Sequence, residues 1–209
     1  MMKIRSILTG IAISLSLAGM AQSQYDGAPV NRSANETSTD NVEVRRNKYP
    51  RSDNDWENFD VLHINRLPSA ANFMGYPTKE LALQGDKSQS PYFQSLNGTW
   101  KFHFVPRSDE RPMDFFQKGD DIKVPSNWEL QGFGYPFYVG SGYGIKKNPP
   151  LIAVENSPVG SYRRTFTIPA HWNKRQIILY FGGVASAFYV WVNGEKVGYS
   201  QDSKTPSEF

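Results

Sequence analysis

The sequence contains no cysteine and only three histidines. Without cysteine the chain has no disulfide framework, no thiolate chemistry and no site for lipid attachment. His63, His103 and His171 share no ligand spacing with one another or with acidic residues, so they do not predict a zinc site, which needs about three converging protein ligands. The net charge is only +3 over 209 residues. We predict no nucleic-acid partner, because no strongly basic surface is indicated.

Motifs that mark catalytic sites are also lacking. The sequence has no nucleophile elbow, phosphate-binding loop or dinucleotide fingerprint. A glycoside hydrolase needs two facing carboxyl groups, about 5 to 5.5 Å apart when configuration is retained. The sequence leaves open whether two of its 20 acidic residues meet in the fold, but none stands out as a carboxyl group in an aromatic setting at a strand end. We therefore predict no catalytic residue in this chain.

Residues 1–23 have the three-part pattern of a secretory signal peptide. Lys3 and Arg5 precede an apolar stretch over residues 7–21, which ends among small residues close to Ser23. The stretch is too short and too interrupted by hydroxyl residues for a membrane-spanning helix, which needs about 20 residues. We predict cleavage near Ser23, no membrane span in the mature chain, and a periplasmic or secreted location.

The rest of the chain divides into three segments by composition. Residues 24–55 contain few large apolar side chains and no periodicity, which is typical of a flexible polar lead-in. Residues 56–95 mix aromatic residues with Pro68 and Pro77 and show no sustained period, which predicts an extended arm docked on another surface. Residues 96–209 have the patterns of β-strands.

Several strand signals occur within residues 96–209. Apolar residues alternate at Trp100, Phe102 and Phe104, as in a half-buried strand. Residues 176–181 and 187–192 are nearly continuous apolar runs, and the second ends at Asn193-Gly194, a dipeptide that favours a two-residue hairpin turn. Short strands separated by Gly and Pro loops predict an all-β antiparallel sandwich.

Residues 198–209 follow the predicted hairpin, so Asp202 belongs to a loop that projects from a rigid sheet. A loop carboxylate can accept hydrogen bonds from two adjacent sugar hydroxyls and so orient a carbohydrate. On residue type alone, an aspartate that only caps its own loop is the more common case.

Seven motifs follow one another from residue 56 to the end: WEN at 56–58, NRLP at 65–68, SLNGTWKF at 95–102, VPSNWELQG at 124–132, NPP at 148–150, GSYRRTF at 160–166 and GYSQDS at 198–203. In order and spacing they resemble the opening of bacterial β-galactosidases of glycoside hydrolase family 2. LNGTW and WVNG look like many members of that family, whereas QDS with the following PSEF is more typical of its galactosidase branch.

The resemblance implies a jelly-roll, galactose-binding-domain-like sandwich over residues 96–209, with two further sandwich domains and a catalytic TIM barrel following it. It also implies that Asp202 binds galactose hydroxyls and a sodium ion. The family's catalytic glutamates and magnesium ligands are expected beyond Phe209, so this segment alone should be inactive. Gly140 stands where the family has a sugar-contacting asparagine, and it offers a backbone amide but no side-chain amide.

The sequence thus predicts the N-terminal portion of an exported β-galactosidase that retains configuration. We expect sodium and magnesium as cofactors of the full-length enzyme, a β-galactoside or galactose-containing glycan as its ligand, and a homo-oligomer. Two alternatives stay open: a self-contained carbohydrate-binding module without hydrolase activity, and a family 2 enzyme for another sugar, such as a glucuronide or mannoside.

Overall fold

The computed structural model describes residues 54–71, 73–112, 118–136 and 148–209, together with the backbone of residues 6–12. Its strands are β1 Ser6–Ala12, β2 His63–Ile64, β3 Gly98–Val105, β4 Asp120–Val124, β5 Val159–Phe166, β6 Tyr180–Phe181, β7 Ala187–Val192, β8 Glu195–Gln201 and β9 Ser207–Glu208. One α-helix, α1, covers Lys79–Gln84. The 3-10 helices are Asp55–Glu57, Lys87–Gln89, Ser108–Glu110, Trp128–Gln131, Val154–Asn156 and Ala170–Trp172.

The strands form three antiparallel sheets. The first has the order β1-β5-β3-β4, the second β2-β8-β7, and the third consists of β6 and β9. The predicted all-β sandwich is therefore confirmed. No helix within the described ranges is long and apolar enough to cross a membrane.

Strand β3 shows the predicted alternation. Trp100 and Phe102 are buried and Phe104 is half-buried, whereas Lys101 and His103 between them are exposed. The buried rings belong to an interior cluster, which lies between the first sheet and β7 and consists of Trp100, Phe102, Ile122, Trp128, Phe188 and Val190.

The apolar run of β7 is continuous because both faces of the strand are buried. Phe188 and Val190 point into the interior cluster, while the alternate side chains join a second group on the opposite face. This arm cluster consists of Val105, Val159, Ala187, Tyr189 and Tyr199, with Trp56, Val61 and Ile64 of the arm packed against it. Period-2 alternation is lost wherever a strand is covered on both faces.

The predicted hairpin turn is confirmed. Asn193 and Gly194 have φ angles of 54° and 94°, and Val192 pairs with Glu195 across the turn. The other apolar run is shorter as a strand than the sequence indicates, because only Tyr180–Phe181 is β-structure. One further pair of backbone hydrogen bonds joins Leu179 to Phe209, and residues 176–178 have no secondary structure.

The arm packs against the chain's own second sheet, where β2 pairs with the last part of β8. It also contains helix α1, which the sequence did not predict. The helix begins after Thr78, whose side-chain oxygen accepts a hydrogen bond from the Leu81 amide at 3.3 Å, and it ends at Gly85 with a φ angle of 69°. A polar N-cap and a left-handed glycine are ordinary helix boundaries.

Strand β1 lies within the segment that the sequence predicts to be a signal peptide. It pairs antiparallel with β5, with Ser6 opposite Phe166 and Ala12 opposite Gly160. Cleavage near Ser23 stays a prediction. Cleavage would remove β1 and leave β5 without this neighbour.

Candidate functional site

Asp202 lies directly after β8, at the start of the loop that leads to β9. Its φ angle is 99° and that of Lys204 is 68°, both in the left-handed region that side chains rarely adopt. Each such residue costs about 1–3 kcal/mol and persists only where its surroundings hold it. Two backbone hydrogen bonds brace this loop, from the Thr205 amide to the Asp202 carbonyl and from the Lys204 amide to the Val184 carbonyl, both at 3.3 Å.

The two stems of the loop are joined at its base. Ser200 at the end of β8 and Ser207 at the start of β9 are both buried, and their hydroxyl oxygens are 3.0 Å apart. Beyond this contact β9 pairs with β6, with Ser207 opposite Phe181. Residues 202–206 therefore form a short loop whose ends are fixed, although its middle is at the surface.

The Asp202 side chain is exposed. Among the described residues, no side-chain hydrogen bond or ion pair occupies its carboxylate. An ionised carboxylate has about four acceptor sites, so two adjacent sugar hydroxyls can donate to it at once. The constrained backbone fixes the Cα–Cβ direction of Asp202, and so the side of the loop from which the carboxylate extends.

A metal site is not completed within the described part of the chain, where no group of three or more His, Asp or Glu side chains converges. Sodium is a hard cation and prefers oxygen ligands. Asp202 fits such a site as one oxygen donor, and the remaining ligands would have to come from elsewhere. His63 and His103 lie on separate strands, and the His171 ring contacts the Pro91 carbonyl at 2.9 Å.

A cavity of about 1830 Å³ lies beside this loop, and Asp202 is not among the residues that line it. Its walls include Trp100, Trp128 and Tyr162 of the sandwich interior, and Ser203 and Lys204 stand at its margin. Ligand pockets usually occupy about 300–1,000 Å³. A space of this size lined by core side chains is larger than a usual ligand pocket, so the cavity by itself does not identify a sugar site.

Gly140 lies outside the described residues. Sequence reasoning missed the arm's contacts with the loop, above all those of Arg66, whose Nη1 donates to the Ser200 hydroxyl at 2.9 Å. Arg66 belongs to the NRLP motif, but no local pattern indicates which distant hydroxyl it reaches.

Two kinds of comparison relate this chain to known proteins. The family described as glycosyl hydrolases family 2, sugar binding domain, matches residues 93–209. Proteins named beta-galactosidase are similar to this chain: one from Priestia megaterium is 45% identical over 173 residues, covering 78% of this chain and 16% of that protein.

Two further relatives have the same name. The protein from Psychromonas ingrahamii is 41% identical over 161 residues, covering 74% of this chain and 15% of the relative. The protein from Halalkalibacterium halodurans is 43% identical over 161 residues, covering 71% and 16%. This chain thus spans only 15–16% of the length of these relatives. The family match covers more than half of the chain, which therefore belongs to glycosyl hydrolase family 2 and contains its sugar-binding domain.

Proposed function

We propose that this chain is the N-terminal portion of an exported β-galactosidase, which hydrolyses terminal β-galactosides with retention of configuration. The family match and the names of the relatives support the reaction class. We assign sugar binding to Asp202 because its exposed carboxylate lies on a strained loop whose two ends are fixed.

In this proposal Asp202 binds the sugar and does not break the bond. Its carboxylate accepts hydrogen bonds from two galactose hydroxyls, and each hydrogen bond to a charged group contributes about 1.5–3 kcal/mol. The same carboxylate serves as one oxygen ligand of a sodium ion. The two catalytic carboxyl groups and the magnesium ligands belong to a barrel outside this segment, so the segment alone has no hydrolase activity.

Exposed apolar side chains support a larger assembly. Phe73, Leu83, Leu130 and Tyr135 are between 78% and 91% exposed. Burial of such side chains against other protein is favourable by roughly 25 cal/mol per Å² of apolar surface. We propose that these side chains contact further domains of the same polypeptide or neighbouring subunits of a homo-oligomer.

The residue assignment is tested by Asp202→Asn in the intact gene product. We expect kcat/KM for an aryl β-galactoside to fall about 100-fold or more, because two charge-assisted hydrogen bonds are weakened. The matched control is Asp121→Asn, since Asp121 is also an exposed carboxylate but lies on β4, where it pairs with Lys101. The control should have wild-type kinetics.

The outcomes separate the alternatives. Equal activity of Asp202→Asn and the wild type would contradict the role of Asp202. Hydrolysis of a β-glucuronide or β-mannoside in preference to a β-galactoside would replace the proposed substrate. Galactoside binding by residues 54–209 alone, measured by calorimetry, would favour a self-contained carbohydrate-binding module.

We also propose export, based on the pattern of residues 1–23. N-terminal sequencing of the protein recovered from the periplasm or the medium should begin close to residue 24. Retention of residues 1–23 in the protein outside the cytoplasm would contradict the proposed cleavage.

A further inference from the structure

The arm crosses both stems of the Asp202 loop. On the β8 side, β2 pairs with Tyr199 and Ser200, and Gln201 makes two hydrogen bonds to the arm, from its amide to the Leu62 carbonyl at 3.2 Å and from its Nε2 to the Val61 carbonyl at 3.0 Å. These contacts end one residue before Asp202.

On the β9 side, the Leu67 amide donates to the Glu208 carbonyl at 2.8 Å. The arm therefore holds the loop where it begins and also where it ends. Arg66 lies between these two points of attachment and is half-buried.

Arg66 places its guanidinium at the base of the loop. Nη1 is 2.9 Å from the Ser200 hydroxyl oxygen and 3.5 Å from the Gln201 carbonyl, the group bonded directly to the Asp202 amide nitrogen. A serine hydroxyl has one proton to donate. That proton has two acceptors within reach, the Gln201 carbonyl at 3.2 Å and the Ser207 hydroxyl oxygen at 3.0 Å across the base, and in the second pair either oxygen can be the donor.

We infer that Arg66 is a positioning residue for Asp202, acting through the Ser200 hydroxyl and the Gln201 carbonyl. The inference rests on the proposed role of Asp202 in binding a galactoside. The strained φ angles of Asp202 and Lys204 require surroundings that hold the loop. Arg66 is the charged group that fixes its base, and without it the carboxylate should sample directions in which it does not meet the sugar.

The test uses the intact gene product with Arg66→Met and Arg66→Lys. Arg66→Met should lower kcat/KM for an aryl β-galactoside about 10- to 100-fold, as is usual when a residue that orients a ligand-binding group is removed. The Kd of a non-hydrolysable β-thiogalactoside should rise by a similar factor. Arg66→Lys keeps a cation with N–H donors but lacks the planar guanidinium. It should therefore recover part of the lost kcat/KM.

The matched control is Arg164→Met. Arg164 is also half-buried and donates to backbone carbonyls, those of Asn97 and Thr99, but it lies on β5 and makes no described contact with the loop. Its galactoside kinetics should be those of the wild type. If Arg66→Met lowered only the melting temperature and left KM and Kd unchanged in the folded enzyme, Arg66 would be merely structural and the inference would be wrong.

A double-mutant cycle completes the test. In an Asp202→Asn background, Arg66→Met should lower kcat/KM by less than about threefold, because a residue that acts through Asp202 loses its effect when Asp202 is already impaired. Independent, multiplying losses would overturn the positioning role while leaving the proposed function in place. An Asp202→Asn enzyme with full activity would instead remove the proposed function, and the positioning role with it.

Discussion

The two faces of strand β7 are buried by different parts of the chain. On one face, Phe188 and Val190 meet aromatic rings of the first sheet in the interior cluster. On the other face, Tyr189 packs in the arm cluster, where the Trp56 ring of the arm stands edge-on to it with ring centroids 6.3 Å apart. Both faces are apolar, and the cavity of about 1830 Å³ is lined by Tyr189 as well as by Phe188 and Val190.

The arm cluster is closed by polar contacts at its edge. The Tyr189 hydroxyl donates to Asp55 Oδ2 at 2.6 Å, and Lys196 Nζ lies 3.3 Å from the same oxygen. Glu57 is buried as well, and its Oε1 accepts a hydrogen bond from the Ile152 amide at 2.9 Å. Directional bonds of this kind fix one arrangement of the arm. The interior cluster consists mostly of packed rings and aliphatic side chains, although Trp100 Nε1 donates to the Leu96 carbonyl at 2.8 Å.

This difference predicts that the two regions tolerate added volume unequally. A Cβ on Gly198 would lie 2.6 Å from the Ile64 carbonyl oxygen, which is backbone of the arm, and 2.5 Å from the ring of Phe209, which packs against the interior cluster. Backbone cannot move aside without detaching β2 from β8. We expect Gly198→Ala to lower the free energy of unfolding by about 3 kcal/mol, near the upper end for overpacking. Urea denaturation, monitored by tryptophan fluorescence, measures this change in the free energy of unfolding.

Gly160→Ala is the corresponding change at a position where the nearest atoms all belong to side chains of the interior cluster. A Cβ there would lie 2.6 Å from the Phe102 ring and 2.6 Å from the Trp128 ring. Trp128 borders the cavity, so its ring has space into which it can shift. We expect Gly160→Ala to lower the free energy of unfolding by about 1–2 kcal/mol. If Gly160→Ala proved as damaging as Gly198→Ala, the interior cluster would be as rigid as the arm cluster and the comparison would fail.

The sequence predicts the sandwich well because its signals are local. Alternation in β3 and the Asn193-Gly194 turn each depend on residues a few positions apart, and both are confirmed. The segment that covers the second face of β7 was not predictable from local signals. A continuous apolar run indicates that both faces of a strand are buried, but nothing in it identifies residues 56–64 as the segment that buries the second face.

The same distinction between local signals and distant contacts holds for the candidate site. Asp202 was predicted to lie on a loop after a hairpin, and the structure places it there. Its support by Arg66 and Ser207 depends on contacts across 134 and 7 positions of sequence, which no local pattern encodes. The positive φ angle of Asp202 was not predictable either, because aspartate is enriched in this region several-fold and still adopts it only uncommonly.

The smallest predicted effect concerns the polar edge of the arm cluster and depends on pH. Burial, followed by the hydrogen bond to Asp55, raises the pKa of Tyr189 above its ordinary value of 10.0. Tyr189→Phe should cost about 1 kcal/mol at neutral pH, because one hydrogen bond is lost. Lys196 stays as a partner of Asp55 and limits the loss. As a control, Tyr135→Phe should change nothing at this pH, because the ring of Tyr135 is 91% exposed.

Above pH 10 the difference between Tyr189→Phe and the wild type should shrink. The stabilisation linked to a raised tyrosine pKa is fully present below about pH 10, where the phenol is neutral in both states. This stabilisation is lost at higher pH because the tyrosine ionises in the unfolded chain before it does so in the folded chain. In that range the free energy of unfolding falls by about 1.4 kcal/mol per pH unit for each such group. Phenylalanine cannot ionise, so the two urea midpoints should meet near pH 11. A constant difference from pH 8 to pH 11 would mean that Tyr189 ionises as readily in the folded chain, and that the arm does not seal this face against water.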